Sequence, residues 1–280
     1  MHMSPNISSD LHLVTRALDE ITNQSRLCHR PESSRVYKEH SIEHFTGIGR
    51  ATALRLAELG AKVYALSLVQ AELDSLHAEN PAIVTLCVDL QDWEATREAV
   101  KKVTPIHLLV NIAVVFKWSP ILKTSLADVN ASLDVNVKGV LNVSQVVASD
   151  LITRGEKGNI VNMSSIGGQK PMIQTGIYSA CKAAVDSFTR SMALELSSKG
   201  IRVNAVCPTL VTDTFSGQVM APNRKNTETG AGNELLMART PQGKFPCRND
   251  VVNAVVYLLS DYSDLVNGHL LPVDGGFLCS

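Results

Sequence analysis

The stretch Gly158-Asn-Ile-Val-Asn-Met-Ser-Ser165 is a short run that ends in two serines, and Tyr178-Ser-Ala-Cys-Lys182 follows it at the start of a long helical pattern. The part Gly158–Met163 is apolar in its middle without alternation, which predicts a strand buried on both faces, as in a parallel sheet. Comparable runs recur along the chain, with longer amphipathic stretches between them. They are Val63–Leu66, Val84–Val88, His107–Val110, Arg202–Val206 and His269–Val273.

The intervening stretches have the apolar spacing of helices that pack on a sheet. The clearest helical patterns are Ala51–Leu59, Val135–Leu151, Ser179–Leu196 and Val251–Leu259. Strands that alternate with helices at this spacing predict the α/β class, with right-handed crossovers. We therefore expect a doubly wound parallel sheet of the Rossmann type, as a single domain over residues 46–280.

The composition of the chain argues against several classes of partner. The chain has 280 residues, 45% hydrophobic and 19% charged, with a formal net charge of −1. Nothing in this balance favours nucleic acid or an acidic membrane as a partner. The apolar stretches are too short to span a membrane, and the N-terminus lacks an apolar signal core, so we expect a cytoplasmic protein.

Metal and disulfide chemistry are not expected. The six cysteines form no CxxC pair, which is typical of free thiols in a reducing compartment. His40 and His44 are four residues apart, but no third ligand is evident, so a solvated linker is the better interpretation.

Two segments interrupt the strand and helix alternation. Residues 1–45 form an atypical N-terminal extension, which we predict to be a helix starting at Ser9-Asp10 followed by a polar linker, or to be disordered over part of its length. Leu11-His-Leu-Val-Thr15 is an alternative, makeshift strand. The second segment, Thr212–Arg239, is long and polar; it has the character of a lid or of a plain surface loop, and the sequence leaves both open.

Tyr178 and Lys182 carry the sharpest chemical signal. Residues four apart lie on one face of a helix. A tyrosine has a pKa near 10 in water, and a neighbouring ammonium lowers that pKa by favouring the phenolate. The pair is therefore a candidate proton donor to a developing alkoxide. Taken alone, the same spacing also occurs on solvated helix faces.

Ser165 extends this candidate site. It follows a predicted strand, and ligands of doubly wound sheets bind at the carboxyl ends of the strands. A serine there can donate a hydrogen bond to a substrate carbonyl. The alternative for Ser164 and Ser165 is simple turn capping.

From Thr46 onwards, these residues and several more resemble the short-chain dehydrogenase/reductase family. The additional matching motifs are Val88-Asp89-Leu90, Asp134-Val-Asn136-Val137, Arg202-Val-Asn-Ala-Val-Cys-Pro208 and Asp274-Gly-Gly276. Within the family, the chain resembles the L-xylulose (dicarbonyl) reductases, for example in Gln70-Ala-Glu-Leu-Asp-Ser-Leu76 and Leu271-Pro-Val-Asp-Gly-Gly-Phe277. The resemblance implies a reductase of small carbonyl compounds that acts as a homotetramer.

The resemblance also implies the roles of individual residues. Tyr178 would be the general acid, Lys182 would lower its pKa and hold the nicotinamide ribose, Ser165 would orient the carbonyl, and Asn136 would hold a water in the proton relay. The residues implied to bind the cofactor are Gly47, Ile48, Gly49, Ser67, Asp89, Leu90, Asn111, Ala113, Tyr178, Lys182, Pro208, Thr209, Val211 and Thr212.

The nucleotide site departs from the family pattern. Only Thr46-Gly47-Ile48-Gly49 remains of the TGxxxGxG turn, and Ile112 replaces an asparagine. No acidic residue stands near Ser67 to select NAD, which favours NADP, although Leu68 replaces the usual arginine. The alternative function is therefore a catalytically impaired member that acts as a binding or scaffold subunit.

Overall fold

A computed structural model describes the backbone of residues 12–16 and all atoms of residues 47–214 and 236–280. It confirms the doubly wound parallel sheet. The described strands are β1 His12–Arg16, β2 Lys62–Ser67, β3 Val84–Cys87, β4 Leu108–Asn111, β5 Gly158–Met163, β6 Ile201–Pro208 and β7 Leu270–Val273. Their pairings are all parallel, and the strand order is β3-β2-β1-β4-β5-β6-β7.

Helices cover both faces of this sheet because neighbouring residues on a buried strand point to opposite sides. On β4, Leu108 and Val110 pack into one hydrophobic cluster and Leu109 into another. The α-helices with bounds in the described residues are α1 Ile48–Glu58, α2 Gln70–Glu79, α3 Trp93–Lys101, α4 Leu126–Leu133, α5 Gly139–Arg154, α6 Gly176–Leu196 and α7 Arg248–Leu259. The first cluster includes residues of α1, α2 and α7, and the second includes residues of α3, α5 and α6.

The helices in the described ranges are too short or too polar to cross a membrane.

The predicted helix Val135–Leu151 is corrected in one detail. It begins with a π-helical turn, Asp134–Lys138, before α5 continues as a regular α-helix. Such a turn inserts one extra residue per turn and often lies at a functional site.

The central position of the sheet is filled by β1. His12–Arg16 form a strand, so the predicted helix is wrong over these five residues and the alternative strand is present. The physical reason is that β2 and β4 would otherwise leave a row of buried backbone groups without partners, which outweighs a local helical pattern. Residues 17–46, including the linker and the His40 and His44 pair, lie outside the described residues, as do residues 215–235 of the predicted lid.

We predict that β1 contributes more to stability than the edge strand β3. Val14 pairs with Tyr64 on one side and Leu109 on the other, whereas Val84 of β3 pairs only with Tyr64. Proline removes a backbone donor, and a buried acceptor left without its partner costs roughly 1–3 kcal/mol. In thermal denaturation, Val14→Pro should lower Tm clearly more than the matched Val84→Pro. Equal losses would show that β1 is not a central strand.

Candidate active site

The predicted site residues gather at one edge of the sheet because all the parallel strands end there. Ser67 ends β2, Asn111 ends β4, Ser165 lies just after β5, and Pro208 ends β6. The N-terminus of α1 starts at the same edge, since α1 connects β1 to β2. This edge is where ligands of doubly wound sheets bind.

Helix α6 places Tyr178 and Lys182 together. Tyr178 is half-buried in the first turn, and the Lys182 ammonium lies one turn later, 5.6 Å from the centroid of the Tyr178 ring. Lys182 is buried, and its Nζ donates a 2.7 Å hydrogen bond to the carbonyl of Met163 at the end of β5. The spacing therefore brings the charge to the phenol inside the fold, rather than on a solvated helix face.

Ser165 is brought to the same place by a tight turn. A methyl group built on Gly167 would lie 3.4 Å from Ser165 Oγ and 3.6 Å from Cε1 of Tyr178, so Gly167 sits between them. Ser165 Oγ accepts a 3.1 Å bond from the Gly167 N–H and donates a long, 3.4 Å bond to the Pro208 carbonyl. The hydroxyl thus caps a turn, as in the alternative interpretation, and lies on the other side of Gly167 from the tyrosine ring.

Asn136 lies in the π-helical turn and holds the segment after β4. Its Oδ1 accepts a 2.7 Å bond from the Val115 N–H, and its Nδ2 donates a 2.8 Å bond to the Val115 carbonyl. Asn136 is buried. Both ends of the amide therefore position the loop beside Tyr178, and its role toward a water stays a prediction.

The residues present fit a dinucleotide in part. Gly47 and Gly49 are buried at the start of α1, and no side chain in the described part of the chain caps this helix N-terminus, which is suited to bind a phosphate. Two buried polar atoms, Asn111 Oδ1 and Thr209 Oγ1, have no hydrogen-bond partner among the described residues. Both lie at the carboxyl edge of the sheet, where a polar ligand would satisfy them.

The next residues that are expected to bind the cofactor are described by their burial and their hydrogen bonds. Leu90, Ala113, Pro208 and Val211 are buried, and Thr212 is exposed with its N–H bonded to the Pro246 carbonyl. Asp89 accepts a 2.9 Å bond from the Gln91 N–H.

Ser67 is placed less favourably for its expected role. It is fully buried, and its hydroxyl accepts a 3.2 Å bond from the Val69 N–H. This hydroxyl therefore caps the end of β2. Leu68 packs against the core cluster beside it. The neighbouring strand β1 ends in Arg16, in register with Leu66 and Asn111.

Asp186, which lies one turn after Lys182, was not predicted from the sequence. Asp186 is buried, and its Oδ1 has no hydrogen-bond partner among the residues that the structure describes. Burial raises the pKa of Asp186, and burial together with Asp186 raises the pKa of the Cys207 thiol to about 12. The repeated four-residue spacing Tyr178, Lys182, Asp186 was the signal that could have found it.

A second missed group is aromatic. The Phe116 ring meets the Tyr178 ring edge-on, with centroids 4.7 Å apart and an interplanar angle of 63°. Phe116 and Trp118 follow β4 in a segment that has no strand or helix pattern, so nothing in the sequence placed them beside Tyr178.

Comparisons with known proteins show the family to which the chain belongs. Residues 44–278 match the family described as enoyl-(acyl carrier protein) reductase. The chain is 44% identical to L-xylulose reductase of Mesocricetus auratus, over 83% of this chain and 92% of that protein. It is also 44% identical to D-erythrulose reductase of Gallus gallus, over 84% of this chain and 92% of that protein.

Solved structures show the same fold. A gluconate 5-dehydrogenase from Burkholderia cenocepacia in complex with NADP and tartrate matches with a TM-score of 0.77 and 26% identity, over 98% of this chain and 97% of that one. An NAD+-bound xylitol dehydrogenase matches with a TM-score of 0.78 and 25% identity, over 96% of this chain and 98% of that one.

The buried carboxyl generates a pH-dependent prediction. Because the folded-state pKa of Asp186 is raised, its stabilising contribution is complete below the unfolded pKa and is lost as the pH rises through the folded pKa. Asp186→Asn should therefore raise Tm at pH 8 and change it little at pH 4, as measured by calorimetry.

Asp250 provides a control of opposite sign. The Cys247 backbone N–H lowers the pKa of Asp250, so this carboxylate stabilises the fold above its unfolded pKa and loses that effect in acid. Asp250→Asn should lower Tm at pH 8 more than at pH 4. A decrease at pH 8 for Asp186→Asn would contradict the assignment of an unfavourable buried charge.

Proposed function

Because the chain belongs to the short-chain dehydrogenase/reductase family, we propose that it reduces a small carbonyl compound of the L-xylulose or α-dicarbonyl type with NADPH. The observation that carries this proposal is the constellation of Ser165, Tyr178 and Lys182 at the carboxyl edge of the sheet. The phenol is half-buried, a buried ammonium lies 5.6 Å from its ring centroid, and the serine hydroxyl stands across Gly167.

Each side chain has a distinct task in this proposal. The Ser165 hydroxyl exchanges its long bond to Pro208 for a shorter one to the substrate carbonyl, which orients the carbon toward the cofactor. The Tyr178 hydroxyl gives its proton to the carbonyl oxygen as negative charge develops there. Lys182, fixed by Met163, stabilises the phenolate that remains. The nicotinamide cofactor, when bound, supplies the hydride.

The choice of NADP rests on the residues at the end of β2. Ser67-Leu68-Val69 offers no carboxylate to bind a ribose 2′-hydroxyl or to repel a 2′-phosphate. The binding of NADP by the structurally similar gluconate 5-dehydrogenase supports this choice, whereas the xylitol dehydrogenase binds NAD+. Gly47, Ile48 and Gly49 would hold the pyrophosphate at the start of α1, and Asn111 and Thr209 would bind the nicotinamide half.

A catalytically impaired binding or scaffold subunit remains the second candidate. The observation in its favour is at the nucleotide edge, where β1 ends in Arg16 and Ile112 follows Asn111 in the core. A thermal-shift assay with NADPH and NADH separates the two candidates, because a ligand that binds the folded state raises Tm by mass action. No shift with either cofactor would favour the scaffold.

The first functional prediction concerns the general acid. Tyr178→Phe keeps the ring and its contact with Phe116 but removes the proton, so kcat for a dicarbonyl should fall at least about 100-fold. The thermal shift with NADPH should persist. Tyr262→Phe changes an exposed tyrosine far along the chain and should leave kcat unaltered. Retention of most activity in Tyr178→Phe would exclude it as the acid.

The second concerns the cofactor. Leu68→Arg should place a guanidinium at the end of β2 and lower the Kd for NADPH by about tenfold, because charge-assisted hydrogen bonds to phosphate are strong. The Kd for NADH should change little. Leu68→Met is the control, since it keeps an apolar side chain against the core. An equal gain for both cofactors would argue against a 2′-phosphate at this position.

A further inference from the structure

The segment after β4 carries two aromatic side chains across the start of α6. We define them, Phe116 and Trp118, as the aromatic wall. The Phe116 ring lies 4.7 Å from the Tyr178 ring and 5.9 Å from the Trp118 ring, centroid to centroid. All three side chains are half-buried. They therefore form a continuous apolar surface that begins at the proposed proton donor and faces partly outward.

The aromatic wall is fixed on two sides. The Trp118 indole N–H donates to Gln174 Oε1, and the Ser119 N–H donates a 2.9 Å bond to the Gln174 carbonyl. Gln174 has a backbone φ of 65°, a left-handed conformation that residues other than glycine rarely adopt. Lys117, which lies between Phe116 and Trp118 in the sequence, forms a 3.4 Å ion pair with Asp128 of α4. The rings are thus held in place before any substrate arrives.

The aromatic wall presents an apolar surface, whereas a sugar requires hydrogen-bond partners for its hydroxyl groups. The indole N–H of Trp118 is already hydrogen-bonded to Gln174. The side chains of Ile121 and Ile173, in the segments next to Trp118 and Gln174, are exposed. Ile121 also contacts the start of α6, because a methyl group on Gly176 would lie 2.9 Å from its Cδ1. A ketose with several hydroxyls would lose hydrogen bonds to water here without replacement, whereas an aryl ring stacks well on aromatic faces.

We propose that the aromatic wall selects, at the Tyr178 site, α-dicarbonyl compounds that carry an aryl group over polyhydroxylated ketoses. This inference rests on the proposed function and names its substrate class. The carbonyl carbon accepts a hydride from NADPH as its π bond to oxygen breaks, and the oxygen takes the proton of Tyr178. The aryl group lies against Phe116 and Trp118 during this step.

The test compares kcat/KM for 1-phenyl-1,2-propanedione, 2,3-butanedione and L-xylulose. The full chain should prefer the phenyl compound to the other two by about tenfold or more, the discrimination expected of an apolar subsite. Phe116→Leu and Trp118→Leu should reduce this preference at least about fivefold, mainly through KM. Tyr262→Leu, which removes an exposed ring elsewhere, should leave it unchanged.

Two results would overturn the inference while leaving the proposed function intact. One is a preference of the unmodified chain for L-xylulose. The other is an equal fall in kcat for all substrates in both variants, which would make Phe116 and Trp118 positioning residues of Tyr178.

A binding measurement separates failure of the inference from failure of the proposed function. If no carbonyl is reduced with NADPH or NADH, the proposed function fails, and the wall is tested by fluorescence. In a Trp93→Phe variant, Trp118 is the remaining tryptophan. Quenching of Trp118 fluorescence that saturates as the concentration of 1-phenyl-1,2-propanedione rises, with no quenching by L-xylulose, would uphold the aryl subsite. Absence of quenching by 1-phenyl-1,2-propanedione would overturn it.

Discussion

The hydrogen bond from Lys182 Nζ to the Met163 carbonyl ties the chemistry to the fold. Burying the Lys182 ammonium, which is 2% exposed, would cost much free energy if it had no partners. Lys182 therefore needs hydrogen-bond acceptors at the end of β5 and around it. That requirement fixes the rotation of α6 against β5. Tyr178, one turn before Lys182, and Asp186, one turn after it, then lie on the same face of α6. The position of the proposed proton donor follows from the burial of a neighbouring charge.

Much of this arrangement could be predicted from the sequence because it is local. The strand Gly158–Met163 is apolar in its middle and agrees with the structure residue for residue. The four-residue spacing of Tyr178 and Lys182 needs only a helix to bring them together. Ser165 follows from the rule that parallel strands end at a common edge. In each case, one element and one geometric rule were sufficient.

The remainder depends on contacts that no local pattern encodes. His12–Arg16 have a sequence compatible with a helix, and their strand conformation is imposed by β2 and β4 on either side. The π-helical turn at Asp134–Lys138 is matched to the hydrogen bonds between Asn136 and Val115, which come from distant parts of the chain. Phe116 meets Tyr178 across 62 positions for the same reason. The roles assigned to the cofactor residues rest on the family resemblance.

The place of β1 also has a consequence for biosynthesis. This strand leaves the ribosome before both strands that flank it, and Leu109 and Asn111, which complete its pairing with β4, are made some 95 residues after Arg16. At about 5–20 residues per second, β1 must wait roughly 5–20 s with its backbone groups unpaired on at least one side. An unpaired strand is a template for association with other chains. The nascent protein is therefore most vulnerable to aggregation before β4 emerges, and chaperones that bind short extended segments would act in that interval.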